Sequence, residues 1–187
     1  MPSQTNPLED AAKKIHSPSS AERLAASKVL MKQAYQETDK SRGEVLGRSD
    51  TLSGLRRALS DENPATAEAA ALALGEIFLR YRKDKSALPD LARLTQSGRA
   101  KTRYAAAVAI GALDDPQRWE LLAPLLEDRN DEVKQAVCGA VGDAGGKAFK
   151  ASDRELLVPK LEALKRDGNP EVVEMARSAL RCVQKSR

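Results

Sequence analysis

The chain has 187 residues and a formal net charge of +4, with 41% hydrophobic, 31% charged and only 3% aromatic residues. That length supports one domain with a real core, and so few aromatics argue against a β-sandwich or barrel. Charge is spread along the chain, with +1 over residues 1–50, +2 over 51–100, −1 over 101–150 and +2 over 151–187, so no basic block marks a nucleic-acid arm.

Alanine and leucine dominate the sequence and favour helix, and the helical segments repeat. The first frame is the weakest. Anchored on Glu22, it places Ala11 eleven residues before, Ser17 five before, and Ala26, Val29 and Leu30 after. It predicts an N-terminal capping helix pair over residues 8–35, and Glu22 at an apolar position suits a polar edge. The stretch QETDKSRGEVLGRSD, residues 36–50, is charged and glycine-containing and reads as a loop, with room for one short helical turn.

The next frame, anchored on Thr66, gives Leu55, Asp61, Ala70, Ala73, Leu74 and Gly75 at the same offsets. Thr102 gives Leu91, Ser97, Ala106, Ala109, Ile110 and Gly111. Val133 gives Leu122, Asp128, Val137, Ala140, Val141 and Gly142. Val172 gives Leu161, Asp167, Ala176, Ala179 and Leu180, with Arg181 replacing the glycine, as suits a terminal helix. The anchors lie 44, 36, 31 and 39 residues apart. These frames predict helix pairs over 51–83, 87–114, 118–146 and 154–183, about ten helices with the N-terminal pair included.

Each recurring position has a task. The leucines before the turn form one apolar stripe. The Asp or Ser five before the anchor ends the first helix and is positioned to cap the second. Pro64 and Pro170 start second helices, where a missing N–H is harmless. Small residues three and four apart let the second helix pack closely on its neighbours. A lone pair would leave apolar surface bare, so the units must stack. The glycine-rich GDAGG, residues 142–146, follows a helix and reads as a stop signal.

The pattern of Leu, then Asp six later, then an apolar anchor followed by Lys or Arg, then Ala, Ala, Leu and Gly, resembles the HEAT repeat. The best matches are LARLTQSGRAKTRYAAAVAIGAL and LLEDRNDEVKQAVCGAVGDAG. The resemblance covers residues 51–183 well and 8–35 loosely. It implies an all-α, right-handed α-solenoid of antiparallel helix pairs whose second helices line the concave face. The tryptophan, tyrosine and proline pattern of a tetratricopeptide array is absent.

Candidate functional residues follow from that frame. The residue after each anchor is Arg23, Ala67, Arg103, Lys134 or Val173. A basic residue there has two uses: a cationic ladder facing a partner, or a register-holding contact to the Asp of a neighbouring turn, the use favoured here. Helical phase assigns offsets two and five to the open face, namely Glu68 and Ala71, Tyr104 and Ala107, Gln135 and Cys138, Glu174 and Arg177. The expected partner-binding set is thus Glu68, Arg103, Tyr104, Lys134, Gln135, Glu174 and Arg177, with Tyr104 the best hot-spot candidate.

The densest basic run, RYRKDK, places Arg80, Arg82 and Lys83 at a helix end and supports an alternative nucleic-acid-binding or DNA-repair function, since some HEAT-like proteins are DNA glycosylases. The low aromatic count opposes single-strand binding. The sole Trp119 lies between repeats and reads as a packing wedge. His16 has no acid or nucleophile near it in sequence. Cys138 and Cys182 make no metal-ligand spacing and read as reduced thiols. No apolar run reaches the ~18 residues of a membrane span, and the opening MPSQTNPLED lacks the features of a secretory signal. The expectation is a cytoplasmic, non-enzymatic protein-binding module without cofactor or metal, whose partner is another protein, with nucleic acid the lesser alternative and no membrane.

Overall fold

The computed structural model describes residues 6–36, 40–145 and 149–185. Among the described residues the chain forms helices α1 (Pro7–Lys14), α2 (Ser20–Tyr35), α3 (Lys40–Leu46), α4 (Ser49–Ala58), α5 (Pro64–Arg80), α6 (Leu88–Leu94), α7 (Ala100–Ala112), α8 (Arg118–Leu122), α9 (Asp131–Ala144), α10 (Ala151–Leu164) and α11 (Pro170–Lys185), with no strand. The pairs are α1/α2, α4/α5, α6/α7, α8/α9 and α10/α11. The second helices pack side by side in the order α2, α5, α7, α9, α11, the dominant contacts of an α-solenoid.

Local chemistry sets the helix starts. Pro7, Pro64 and Pro170 occupy first-turn positions of α1, α5 and α11. The turn aspartates were expected to be positioned to cap the second helices, but each closes its own turn instead. Asp61, Asp128 and Asp167 accept the backbone N–H of the residue two ahead, at 2.9, 2.8 and 2.9 Å. The residue two ahead is an asparagine each time, and Asn63, Asn130 and Asn169 take the capping role at 3.0, 3.2 and 2.9 Å. A five-residue lead is too long for a side chain to reach the first free N–H groups, whereas the Asn stands at the helix edge.

Two first helices are short. Pro124 has no N–H to continue α8, and the chain goes on as a 3-10 segment over Ala123–Glu127. A second 3-10 turn, Lys85–Ala87, leads into α6. The segment 36–50 departs from the expected loop: its residues Lys40–Leu46 form α3, which raises the helix number among the described residues to eleven, and α4 already begins at Ser49. The cause is the pair Val45 and Leu46, 5% and 0% exposed, which docks α3 against the N-terminal helices while Thr51 Oγ1 donates to the Val45 carbonyl at 2.9 Å. Charge along this stretch obscured two apolar residues.

One hydrophobic cluster runs from Leu8 to Val183. The offsets four and seven after each anchor supply much of it: Ala70, Ala73, Ala106, Ala109, Val137, Ala176 and Ala179 are fully buried. Gly111 shows why small residues recur, since a β-carbon there would come within 2.6 Å of the Ala140 β-carbon on α9. Gly145 ends α9 with φ of 66°, a left-handed value suited to glycine; Gly146 lies outside the described residues.

Trp119 is 1% exposed, its ring centroid 4.9 Å from that of Phe149 just ahead of α10. It therefore packs between successive repeats. Arg118 lies over the indole at 4.4 Å and donates to the Leu113 carbonyl at 2.7 Å, and burial lowers its pKa from the ordinary guanidinium value. His16 has neighbours that the sequence did not place near it. Its Nε2 is 3.1 Å from an Asp50 oxygen and its Nδ1 touches Arg57, which ties the first turn to α4.

Candidate protein-binding face

Where it is basic, the residue after the anchor is the fastener between repeats. Arg23 Nε donates to Asp61 at 2.6 Å. Arg103 donates through Nε and Nη2 to the two carboxylate oxygens of Asp128, at 2.6 and 2.7 Å. Lys134 Nζ donates to Asp167 and also pairs with Asp131 at 2.8 Å. Each cation thus belongs to one repeat and each turn aspartate to the next. The two arginines also hold the carbonyl of their own turn, Arg23 at Ser17 and Arg103 at Ser97, both at 2.8 Å.

The remaining interface explains the gap in the series. There Ala67 replaces the cation and Ser97 replaces the aspartate, so both halves of the clasp are missing together. Glu68 takes over, accepting from Arg99 Nε at 3.0 Å and Thr102 Oγ1 at 2.9 Å.

These contacts shift the carboxylates. The Arg103 guanidinium holds Asp128 below the usual carboxylate range against the opposing effect of burial. Lys134 does the same to Asp167. For Asp61, burial pushes upward and is outweighed by Arg23, Ser20 and the Asn63 N–H. A carboxyl whose folded pKa is depressed contributes stability that is present above its unfolded value and lost as pH falls through the folded one. Thermal stability should therefore hold down to about pH 4, the ordinary carboxylate range, and fall below it. Melting curves between about pH 5 and 2 check this, and Asp128→Asn should flatten the acid limb. An unchanged limb would show that the clasp does not carry the dependence.

Arg103 and Lys134 are each 8% exposed with their charges engaged between repeats, the geometry of the register-holding use. Glu68 is engaged between repeats, and Gln135 donates to Glu171 at 3.2 Å. Glu174 and Arg177 are exposed and lie 3.5 Å apart on α11. Tyr104 is half-buried and lines an open depression with Glu132, Gln135, Ala136, Gly139 and Met175. Offset five, expected on the open face, lies there at Arg177 on α11 but in the core of the three inner helices: Ala71 and Ala107 are 0% exposed and Cys138 2%. The helices α5, α7 and α9 are each flanked on both sides by other second helices, so their free arc is narrower than that of a surface helix. At 100° per residue, offset five turns back toward the clasp and away from that arc. Burial pushes the Cys138 thiol up to about 12, which leaves it protonated and inert.

The free arc follows offsets two, three, six, nine and ten. It forms a second depression, of about 160 Å³, between α5, α7 and α9, lined among others by Leu79, Val108, Gly111, Ala136 and Gly139. Ala136 and Gly139 line both depressions, making one continuous groove across the second helices. Leu79 is 60% exposed at its edge, and nearby Tyr35 on α2 is 69% exposed beneath the Arg80 guanidinium at 5.4 Å.

Arg80, Arg82 and Lys83 of the basic run are all exposed, and the two arginines make local contacts. Arg80 Nε pairs with Glu76 at 3.0 Å, and Arg82 donates to the Gly47 carbonyl at 2.9 Å. Lys83 is exposed. The first two thereby serve as structural contacts of the α5 terminus. Among the described residues no cluster of three His, Cys, Asp or Glu side chains could hold a metal ion, and no helix is long and apolar enough to cross a membrane.

The sequence profile of HEAT repeats matches residues 77–142 and 91–181, more than half the chain. The chain belongs to the HEAT-repeat family. No curated protein matches its sequence. Solved structures similar to this HEAT array include a designed armadillo repeat protein in complex with the peptide (KR)4, with a TM-score of 0.76 and 20% identity over 94% of this chain and 81% of that one. A computationally designed armadillo repeat protein for modular peptide recognition gives 0.71 and 18%, over 96% and 83%. An engineered protein gives 0.73 and 19%, over 93% and 78%. At such identities these likenesses concern the fold.

Proposed function

We propose that this HEAT-repeat protein is a non-enzymatic binding module that holds another protein in the groove across α5, α7, α9 and α11. The observation that carries this reading is a division of labour. The cations that follow the repeat anchors, Arg23, Arg103 and Lys134, are spent on clasps between repeats, while the neighbouring arc presents two adjoining depressions that share the small residues Ala136 and Gly139. Two of the similar structures support the kind of partner, one being in complex with a peptide and the other designed for peptide recognition. Solenoids of this type bind through such extended surfaces.

Gly139 offers a clean test. It lines both depressions, and a β-carbon there would meet only the Met175 Cε, at 3.7 Å. The β-carbon of Gly139→Leu is therefore accommodated, its longer side chain should occupy the groove, and removal of a mid-helix glycine should favour the fold by about 0.5–1 kcal/mol. A partner recovered by affinity capture from the native host should be lost with Gly139→Leu and kept with a substitution on the opposite side, such as Ala163→Leu on α10. Retention by the filled groove would refute the reading.

A further inference from the structure

The groove carries a charge pattern opposite in sign to the whole chain. The protein is net +4, yet no residue lining either depression is cationic. Three lining residues are carboxylates: Glu76 and Asp143 in one depression and Glu132 in the other. Glu76 is neutralised by Arg80. Glu132 and Asp143 are exposed and, among the described residues, have no ion-pair partner. Both lie on α9, one at each end of the helix, so they bracket the apolar stretch that includes Ala136 and Gly139. Across that stretch stand Val108 on α7 and Met175 on α11, both half-buried.

Resting on the functional reading above, we propose that the occupant is a segment of a partner protein that presents small aliphatic side chains flanked by lysine or arginine. The aliphatic part fills the stretch between Val108 and Met175 over Gly139, and the flanking cations meet Glu132 and Asp143. An acidic or phosphorylated segment, or a nucleic-acid backbone, would place its negative charge against those two carboxylates in a setting that excludes part of the solvent. Charge of this kind sets partner choice and encounter rate more than total affinity. Lys101, at the α7 position equivalent to Glu132, is exposed and lines neither depression, so it leaves the sign at the groove unchanged.

The experiment selects a random peptide library displayed on phage against the full chain, at low salt, with Gly139→Leu as the counter-selection. The expected pool is enriched in lysine and arginine on either side of an aliphatic core. Its synthetic consensus should bind the wild type and not Gly139→Leu. The double substitution Glu132→Lys with Asp143→Lys should weaken binding at least about tenfold, because juxtaposed like charges repel across an interface. Raising salt from about 50 to about 300 mM should weaken wild-type binding and strengthen the weaker binding of the double variant, because screening relieves attraction in the one and repulsion in the other. Both sites are exposed, so the double variant should keep its helical signal and melting temperature.

A pool that depends on Gly139 but is neutral or acidic would overturn the charge class and leave the groove reading standing. A pool indifferent to Gly139→Leu would overturn both. Failure to enrich any peptide would overturn the segment proposal, while the capture experiment would still decide the groove reading separately. A dimer in sedimentation that Gly139→Leu dissolves would mean that a second copy of this chain is the occupant, and would also overturn it.

Discussion

Arg103→Ala should lower the free energy of unfolding by about 3 kcal/mol, because removing one member of a buried, hydrogen-bonded pair strands the other charge. The Asp128 side chain is 6% exposed and the Arg103 side chain 9%. Three donor bonds disappear with the guanidinium, two to Asp128 and one to the Ser97 carbonyl. Urea denaturation followed by circular dichroism measures the change. Lys101→Ala, an exposed cation two residues earlier, should stay within about 0.5 kcal/mol of wild type. The double variant Arg103→Ala with Asp128→Ala should lose less than the sum of the single losses, since neither charge is then stranded. Groove binding by Arg103→Ala should remain near wild type under conditions where the protein is folded. Tyr104→Ala should show the reverse, with reduced binding and a smaller stability change. A stable Arg103→Ala protein with weakened binding would return Arg103 to the partner-binding set.

Trp119→Ala should cost about 3–5 kcal/mol, the range for truncating a large aromatic side chain in a packed core. The indole is 1% exposed, stacks near Phe149 and lies beneath Arg118. Its loss would leave a cavity where α8 meets the start of α10, and would leave Arg118 buried without its aromatic partner. Trp119→Phe should recover a large part of the loss. Because Trp119 is the sole tryptophan of the chain, the wild type also reports its own unfolding by fluorescence, and both variants are followed by circular dichroism. A loss below about 1 kcal/mol would show that the wedge is not a core residue.

The repeat architecture was legible in the sequence because stacking imposes the same demand on every unit. Leu at the first helix, Ala or Val four and seven after the anchor, and Gly75 and Gly111 at nine are fixed by contact with neighbouring helices, so they recur, whereas a β-carbon at Gly142 would meet nothing. The clasp was half legible. Arg103 and Lys134 stood at equivalent offsets beside recurring turn aspartates, and the structure joins each cation to the aspartate of the next turn. What sequence reading missed was that Ala67 and Ser97 are the two halves of one absent clasp. That pairing crosses a repeat boundary and shows only once the direction of the contact is known. The Asp-x-Asn run at Asp61, Asp128 and Asp167 was visible and passed over, though it separates a turn-closing residue from a capping one. The groove was least legible. Its position depends on how tightly second helices flank one another, and a 100° wheel drawn for one helix admits Ala71, Ala107 and Cys138 to a face from which neighbouring helices exclude them. Gly139 carried no signal in the sequence, because its value lies in the space above it.

The most direct measurement is the affinity of a purified partner for the wild type and for Gly139→Leu, by calorimetry on proteins shown to be equally folded. Filling the groove should abolish measurable heat of binding while raising the melting temperature slightly. Unchanged affinity of the filled variant would place the partner elsewhere on the solenoid and contradict the account.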